Sequence, residues 1–108
     1  KKSEKAAAME KQRLMWEQFC QKYSGRISAE ETRAGREEAL QMLEKKDTLP
    51  PIRLKIAKYI SDGYVLERNL PKALEYLEIA RDADPESQAA KKLEPWIDNM
   101  RKHINQEK

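Results

Sequence analysis

One cysteine, Cys20, stands among 108 residues, so no internal disulfide can form and nothing reports an oxidising compartment. The expected place for Cys20 is that of a small buried hydrophobe. Only three glycines occur, scattered, which excludes a glycine-rich phosphate loop. Alternating β-branched runs are scarce, which argues against strands. No apolar run approaches the roughly 18–20 residues needed to span a bilayer, and no signal-peptide pattern is visible. The only histidine, His103, has no cysteine or second histidine at ligand spacing, and Cys20 has no histidine nearby to activate it. No enzymatic activity, metal or other cofactor is expected.

Charge of one sign is lacking too. The 22 basic and 19 acidic residues leave a formal net charge of +3 and are interspersed along most of the chain. Such a balance favours solubility and is no nucleic-acid footprint. The basic excess gathers at the ends, in KKSEK and RKH, as solvated termini. With 38% charged against 39% hydrophobic residues, the chain suits one elongated helical domain with much surface for its core. Ala, Leu, Glu, Lys, Gln and Arg dominate, and these are good helix formers. The expectation is all-α.

Punctuation divides the chain into about five helices. The first runs from about Glu4 to Tyr23, with Met9, Trp16, Phe19 and Tyr23 along one face, and Ser24-Gly25 stops it. Ser28 and Glu31 read as a capping box for the second, which carries Ala39, Leu40 and Leu43 towards Lys46. Lys45 and Lys46 suit its negative C-terminal end. After Pro50-Pro51 a third helix reaches about Glu67, with Ile52, Ile56, Ala57, Ile60 and Tyr64 at helical spacing. Gly63 within it suggests a close approach of another backbone. The fourth has Leu70, Ala73, Leu74, Leu77 and Ala80 inward, and Asp84-Pro85 ends it. A fifth, from about Glu86 towards Ile104, places Ala89, Leu93, Trp96, Ile97, Met100 and Ile104 on one stripe, with a kink or restart after Glu94 imposed by Pro95.

An internal repeat organises these elements. KALEYLE at 72–78 aligns with EALQMLE at 38–44 at an offset of 34, pairing Ala73 with Ala39, Leu74 with Leu40, Leu77 with Leu43, and further on Pro85 with Pro51. A 34-residue helix pair with alanines at fixed places resembles the tetratricopeptide repeat (TPR) superfamily. In residues 54–87 the resemblance rests on Ala57, Ile60, Tyr64, Leu70, Ala73, Leu77, Ala80 and Pro85. Ser61 and Arg68 depart from it, since the family prefers a glycine or alanine at the first position and a turn glycine at the second. The resemblance implies antiparallel helix-turn-helix pairs in a short right-handed solenoid within a single domain. Residues 4–46 would form a degenerate pair, 52–85 a regular pair, and 86–105 a capping helix with Trp96 and Met100 packed on the repeat.

The same resemblance implies a noncatalytic protein-interaction module, an adaptor, scaffold or cochaperone-like part. Its groove positions are Lys55, Lys58, Tyr59, Asp62, Val65 and Leu66. Cations, an aromatic and apolar groups together suit a peptide or helix bearing an acidic residue and an apolar anchor. The simpler alternative has the two lysines solubilising and Tyr59 packing on the first or second helix. A second reading is an assembly or oligomerisation subunit that uses a Trp16 and Phe19 face against a partner or another copy; the alternative puts both rings in the core. A third is weak nucleic-acid binding through Arg26, Arg33, Arg36, Lys45 and Lys46, opposed by interleaved glutamates. Modules of this kind work in the cytoplasm, or at the cytosolic face of a membrane where an anchor has been removed.

Overall fold

The computed structural model describes residues 4–23 and 29–106. All regular structure among them is helical: α1 (Glu4–Tyr23), α2 (Ala29–Glu44), α3 (Pro50–Leu66), α4 (Leu70–Ala83) and α5 (Gln88–Gln106). No helix among the described residues is long and apolar enough to cross a membrane. The Ser24-Gly25 stop, Arg26 and the Ser28 cap lie outside the described residues. The whole measures 55 × 32 × 22 Å, the elongated shape that the charge-rich composition favours.

α3 is apolar on two sides, and this organises the molecule. Ile52, Ile56 and Ile60 recur every fourth residue and are buried with Trp16 and Phe19 of α1 and Ala39 of α2. Leu54 and Ala57 point the other way, into a cluster with Leu77 and Ala80 of α4 and Ala90, Leu93 and Ile97 of α5. A one-stripe reading of α3 misses Leu54 for this reason. Leu43 packs against both clusters.

The connections are fixed by specific hydrogen bonds. α2 ends at Glu44, before Lys45 and Lys46. The cation at its negative end is instead Arg53, whose guanidinium donates to the carbonyls of Leu43 and Lys45, both at 2.9 Å. Gln12 of α1 grips the turn before α3: its amide Nε2 donates to the Asp47 carbonyl and its Oε1 accepts from the Leu49 amide, each at 2.8 Å. α3 then begins at a proline pair, which is tolerated because first-turn amides have no intrahelical acceptor.

α3 and α4 form a helical hairpin across Glu67–Asn69. Arg68 has φ 61, the left-handed region. Its amide donates to Val65 O and the Asn69 amide to Tyr64 O, both at 2.9 Å, so the last carbonyls of α3 are satisfied. Asn69 then caps α4 by accepting from the Lys72 amide. Near the turn Ser61 meets Ala73, while farther from it Leu54 and Ala57 share a cluster with Ala80. The two helices therefore run antiparallel. Buried Ser61 is satisfied by donating to the Ala73 carbonyl at 2.7 Å. Glycine accommodates φ > 0 without the steric cost that an L side chain bears there. Arg68→Gly is expected to stabilise the fold by about 0.5–1 kcal/mol, read as a higher urea midpoint at unchanged slope.

Gly63 does not mark a backbone approach. A methyl group there would meet side chains of α2 at ordinary van der Waals distance, Thr32 Cγ2 at 3.6 Å and Arg36 Nη1 at 3.9 Å. Gly63→Ala is therefore expected to gain helix propensity without strain, about 0.5–1 kcal/mol, raising the thermal midpoint by a few degrees. The close approach is at Gly35 of α2, where a Cβ would collide with the Tyr59 hydroxyl.

α5 starts at Gln88, two residues later than its sequence suggests, because Ser87 is the cap: its Oγ accepts from the Ala90 amide at 3.1 Å. The helix runs through Pro95 without a restart. Pro95, which is exposed, supplies no amide hydrogen for the Lys91 carbonyl one turn back. The buried stripe is Ala90, Leu93 and Ile97, with Ala89 outside it. Trp96 is 55% exposed, one position and about 100° around the helix from Ile97, so it does not pack into the repeat as its stripe position suggests.

Positions 34 apart share environments in part, since Leu43 is half-buried where Leu77 is buried. Ala39 and Ala73 are fully buried, and Leu40 and Leu74 half-buried. The helices bearing them are not in full register: α4 begins at residue 70, so its counterpart would begin at 36, yet α2 begins at Ala29.

Candidate interaction groove

α3 and α5 border a cleft with two hollows. The first, about 530 Å³, has Leu54, Leu93 and Pro95 in its walls and Lys58 and Lys92 at its sides. The second, about 280 Å³, is bounded by Asp62, Val65, Leu70, Met100 and His103, with Leu77 and Ser61 behind. Trp96 lines both. Early residues of α3 share a hollow with early residues of α5, and late with late, so the two helices run in the same direction. From Leu54 to Val65 the cleft spans ~16 Å along α3.

Lys58 joins the two hollows. Its ammonium lies 5.2 Å from the centre of the Trp96 ring and 3.0 Å from Asp62 Oδ2, one helical turn on. Lys92 has no carboxylate partner among the described residues. A cation beside an apolar wall with an exposed indole can bind a carboxylate and an aliphatic group side by side.

Three of the six groove residues expected from sequence, Lys58, Asp62 and Val65, meet in this cleft. Val65 is 41% exposed. Leu66 is 68% exposed at the end of α3 and lines neither hollow. Lys55 and Tyr59 face α1. The Tyr59 ring meets Phe19 edge-on at 4.9 Å and Trp16 at 5.9 Å, and burial pushes its phenol pKa up. Tyr59 is a packing residue here, the simpler of the two sequence readings. Lys55 lies close enough to Cys20 to pull the thiol pKa down, but partial burial of the thiol prevails and pushes it up. Cys20 itself is exposed, contrary to its expected burial, because it falls one position past Phe19 on the outer side of α1.

Trp16 and Phe19 stack at 5.0 Å and are buried, so both rings pack within the molecule, as in the alternative that puts them in the core. The cations of the nucleic-acid reading are also engaged in part. Arg36 binds Glu67 at 2.7 Å and covers the Tyr64 ring at 4.3 Å, and Arg33 reaches the other oxygen of Glu67 at 3.8 Å. The Arg36 guanidinium holds the Glu67 carboxyl below its ordinary pKa. Likewise Tyr23, which donates to Glu38 at 2.6 Å, and Lys22 hold the Glu38 carboxyl down.

Among the residues that sequence reasoning left out of the cleft are Trp96, Lys92 and Met100. Trp96 and Met100 were assigned to the packed stripe of α5, and periodicity alone cannot tell the edge of a stripe from its centre. Among the described residues no group of three His, Cys, Asp or Glu side chains could hold a metal ion. No family model, curated protein or solved structure matches the chain.

Proposed function

We propose that this chain is a noncatalytic protein-interaction module, an adaptor or scaffold part, whose binding surface is the cleft between α3 and α5. In this reading α1–α2 and α3–α4 are successive pairs of a short TPR-like right-handed solenoid and α5 is its cap. Support comes from the 34-residue correspondence, the antiparallel α3–α4 hairpin and the parallel course of α3 and α5. One observation carries the functional part: a tryptophan 55% exposed between two hollows, beside two lysines. Indoles dominate interface energetics when a partner covers them, and exposed apolar groups gathered in one place mark interaction sites. The occupant is a peptide or helix that places an apolar side chain against Trp96 and an acidic one near Lys58 or Lys92.

The test is affinity capture from native lysate with the wild type and Lys58→Glu/Trp96→Ala, after circular dichroism shows equal helicity. Both side chains are at the surface, so the fold is expected to survive. At least a tenfold loss of one captured protein from the variant is expected. Equal capture by both would place the interface elsewhere, and capture of nothing by either would remove the proposal's support.

A further inference from the structure

A second surface lies along α1 and α2, on the side of α3 that bears Ile52 and Ile56, away from the Leu54 side that lines the cleft. α1 and α2 meet at few points, and two hollows open along their seam. One, about 370 Å³, is floored by Met15, Met42, Ile52 and Ile56 with Lys11 and Lys45 at its rim. The next, about 440 Å³, continues past Met15 and Met42 to Phe19, Lys22 and Glu38. Lys45 lines both. From Ala8 to Lys22 the seam is ~21 Å long, the length of a four-turn helix.

The seam is open because α1 spends its aromatic residues on α3. Trp16 and Phe19 reach Tyr59 and the α3 isoleucines, which tilts Met15, 40% exposed, towards solvent beside Met42. Methionines on an open surface adapt to the side chains that cover them. The rim charge is unbalanced. Glu38 already binds Lys22 at 3.2 Å and the Tyr23 hydroxyl, while Lys11 and Lys45 have no carboxylate partner among the described residues. Asp47 is the other rim acid.

We propose that the α1–α2 seam docks an acidic amphipathic helix of a partner protein. Apolar side chains at i, i+3 or i+4 and i+7 enter the methionine-lined hollows, and flanking glutamates face Lys11 and Lys45. The lysines select the sign of the partner's charge, and the methionines supply most of the contact area.

The probe is a synthetic 18-residue helical peptide with leucines at those spacings and flanking glutamates, compared with one in which the glutamates are lysines. Titration is followed in the full chain by the methyl signals of its four methionines, Met9, Met15, Met42 and Met100. The glutamate peptide is expected to shift Met15 and Met42 and leave Met100 in place, and to bind about tenfold tighter than the lysine peptide. Lys11→Glu/Lys45→Glu, which alters only exposed side chains, is expected to reverse that preference. Met15→Gln/Met42→Gln should weaken both peptides. Shifts at Met100 instead would move the peptide to the α3–α5 cleft and overturn the proposal. Equal binding of the two peptides would also overturn it, as would concentration-dependent Met15 and Met42 shifts without peptide, which would assign the seam to a second copy.

Discussion

Replacing Phe19 with alanine is expected to lower the unfolding free energy by about 3–5 kcal/mol. Phe19 is 4% exposed and its ring touches three others: Trp16 at 5.0 Å, Tyr23 at 4.9 Å and Tyr59 at 4.9 Å. Truncation leaves a cavity that the neighbouring rings cannot close, because Trp16 and Tyr59 are held by the isoleucines of α3. α1 has few other attachments. Trp16 and Phe19 are its only buried residues, and Gln12 supplies its grip on the turn before α3. Urea denaturation measures the loss, and circular dichroism below the transition should show reduced helicity as α1 frays. A loss under about 1 kcal/mol would mean that the aromatic cluster does not fasten α1.

The second large effect comes from enlargement. Ala57 is fully buried where α3 approaches α4, in one cluster with Leu77, Ala80 and Leu93. Ala57→Leu inserts three carbon atoms where alanine sets the helix separation, so the helices must part or side chains leave their rotamers. A cost of about 3 kcal/mol follows, a fall in thermal midpoint of roughly 12–20 °C for a domain of this size. Differential scanning calorimetry reads it directly. Ala57→Gly would test the opposite direction, losing about 1 kcal/mol of helix propensity without parting the helices. A leucine tolerated at no cost would remove the alanine contact line from the account of the α3–α4 hairpin.

Most of the helical architecture was legible because it depends on local signals. Proline pairs, the Leu70-Pro71 start and the Asp84-Pro85 stop each act within a turn of chain, and the helices fall within two residues of those marks at most places. Alanines at 39, 57, 73 and 80 were legible as inward positions because only a small residue suits a close helix pair. Features set by packing between distant elements were not. Arg53 rather than Lys45 or Lys46 completes the end of α2, because which cation reaches those carbonyls depends on how α3 folds back. Gly35 rather than Gly63 is the crowded glycine, since the crowding comes from Tyr59 on another helix. For the cleft, Lys58, Asp62 and Val65 were legible on α3, but its opposite wall was not. Trp96 lies at the margin of an amphipathic stripe, where sequence spacing fits burial and exposure alike. Tyr59 shows the converse: it has the spacing of a groove residue, and α1 covers it.

The two-sided burial of α3 means that the unit of repetition and the unit of folding differ in this chain. Dividing it between α2 and α3 would uncover Ile52, Ile56 and Ile60, and dividing it between α3 and α4 would uncover Leu54 and Ala57. Either half would carry a naked isoleucine or leucine ridge into water. A helix buried on two sides joins both clusters into one piece, whatever register its sequence repeats in.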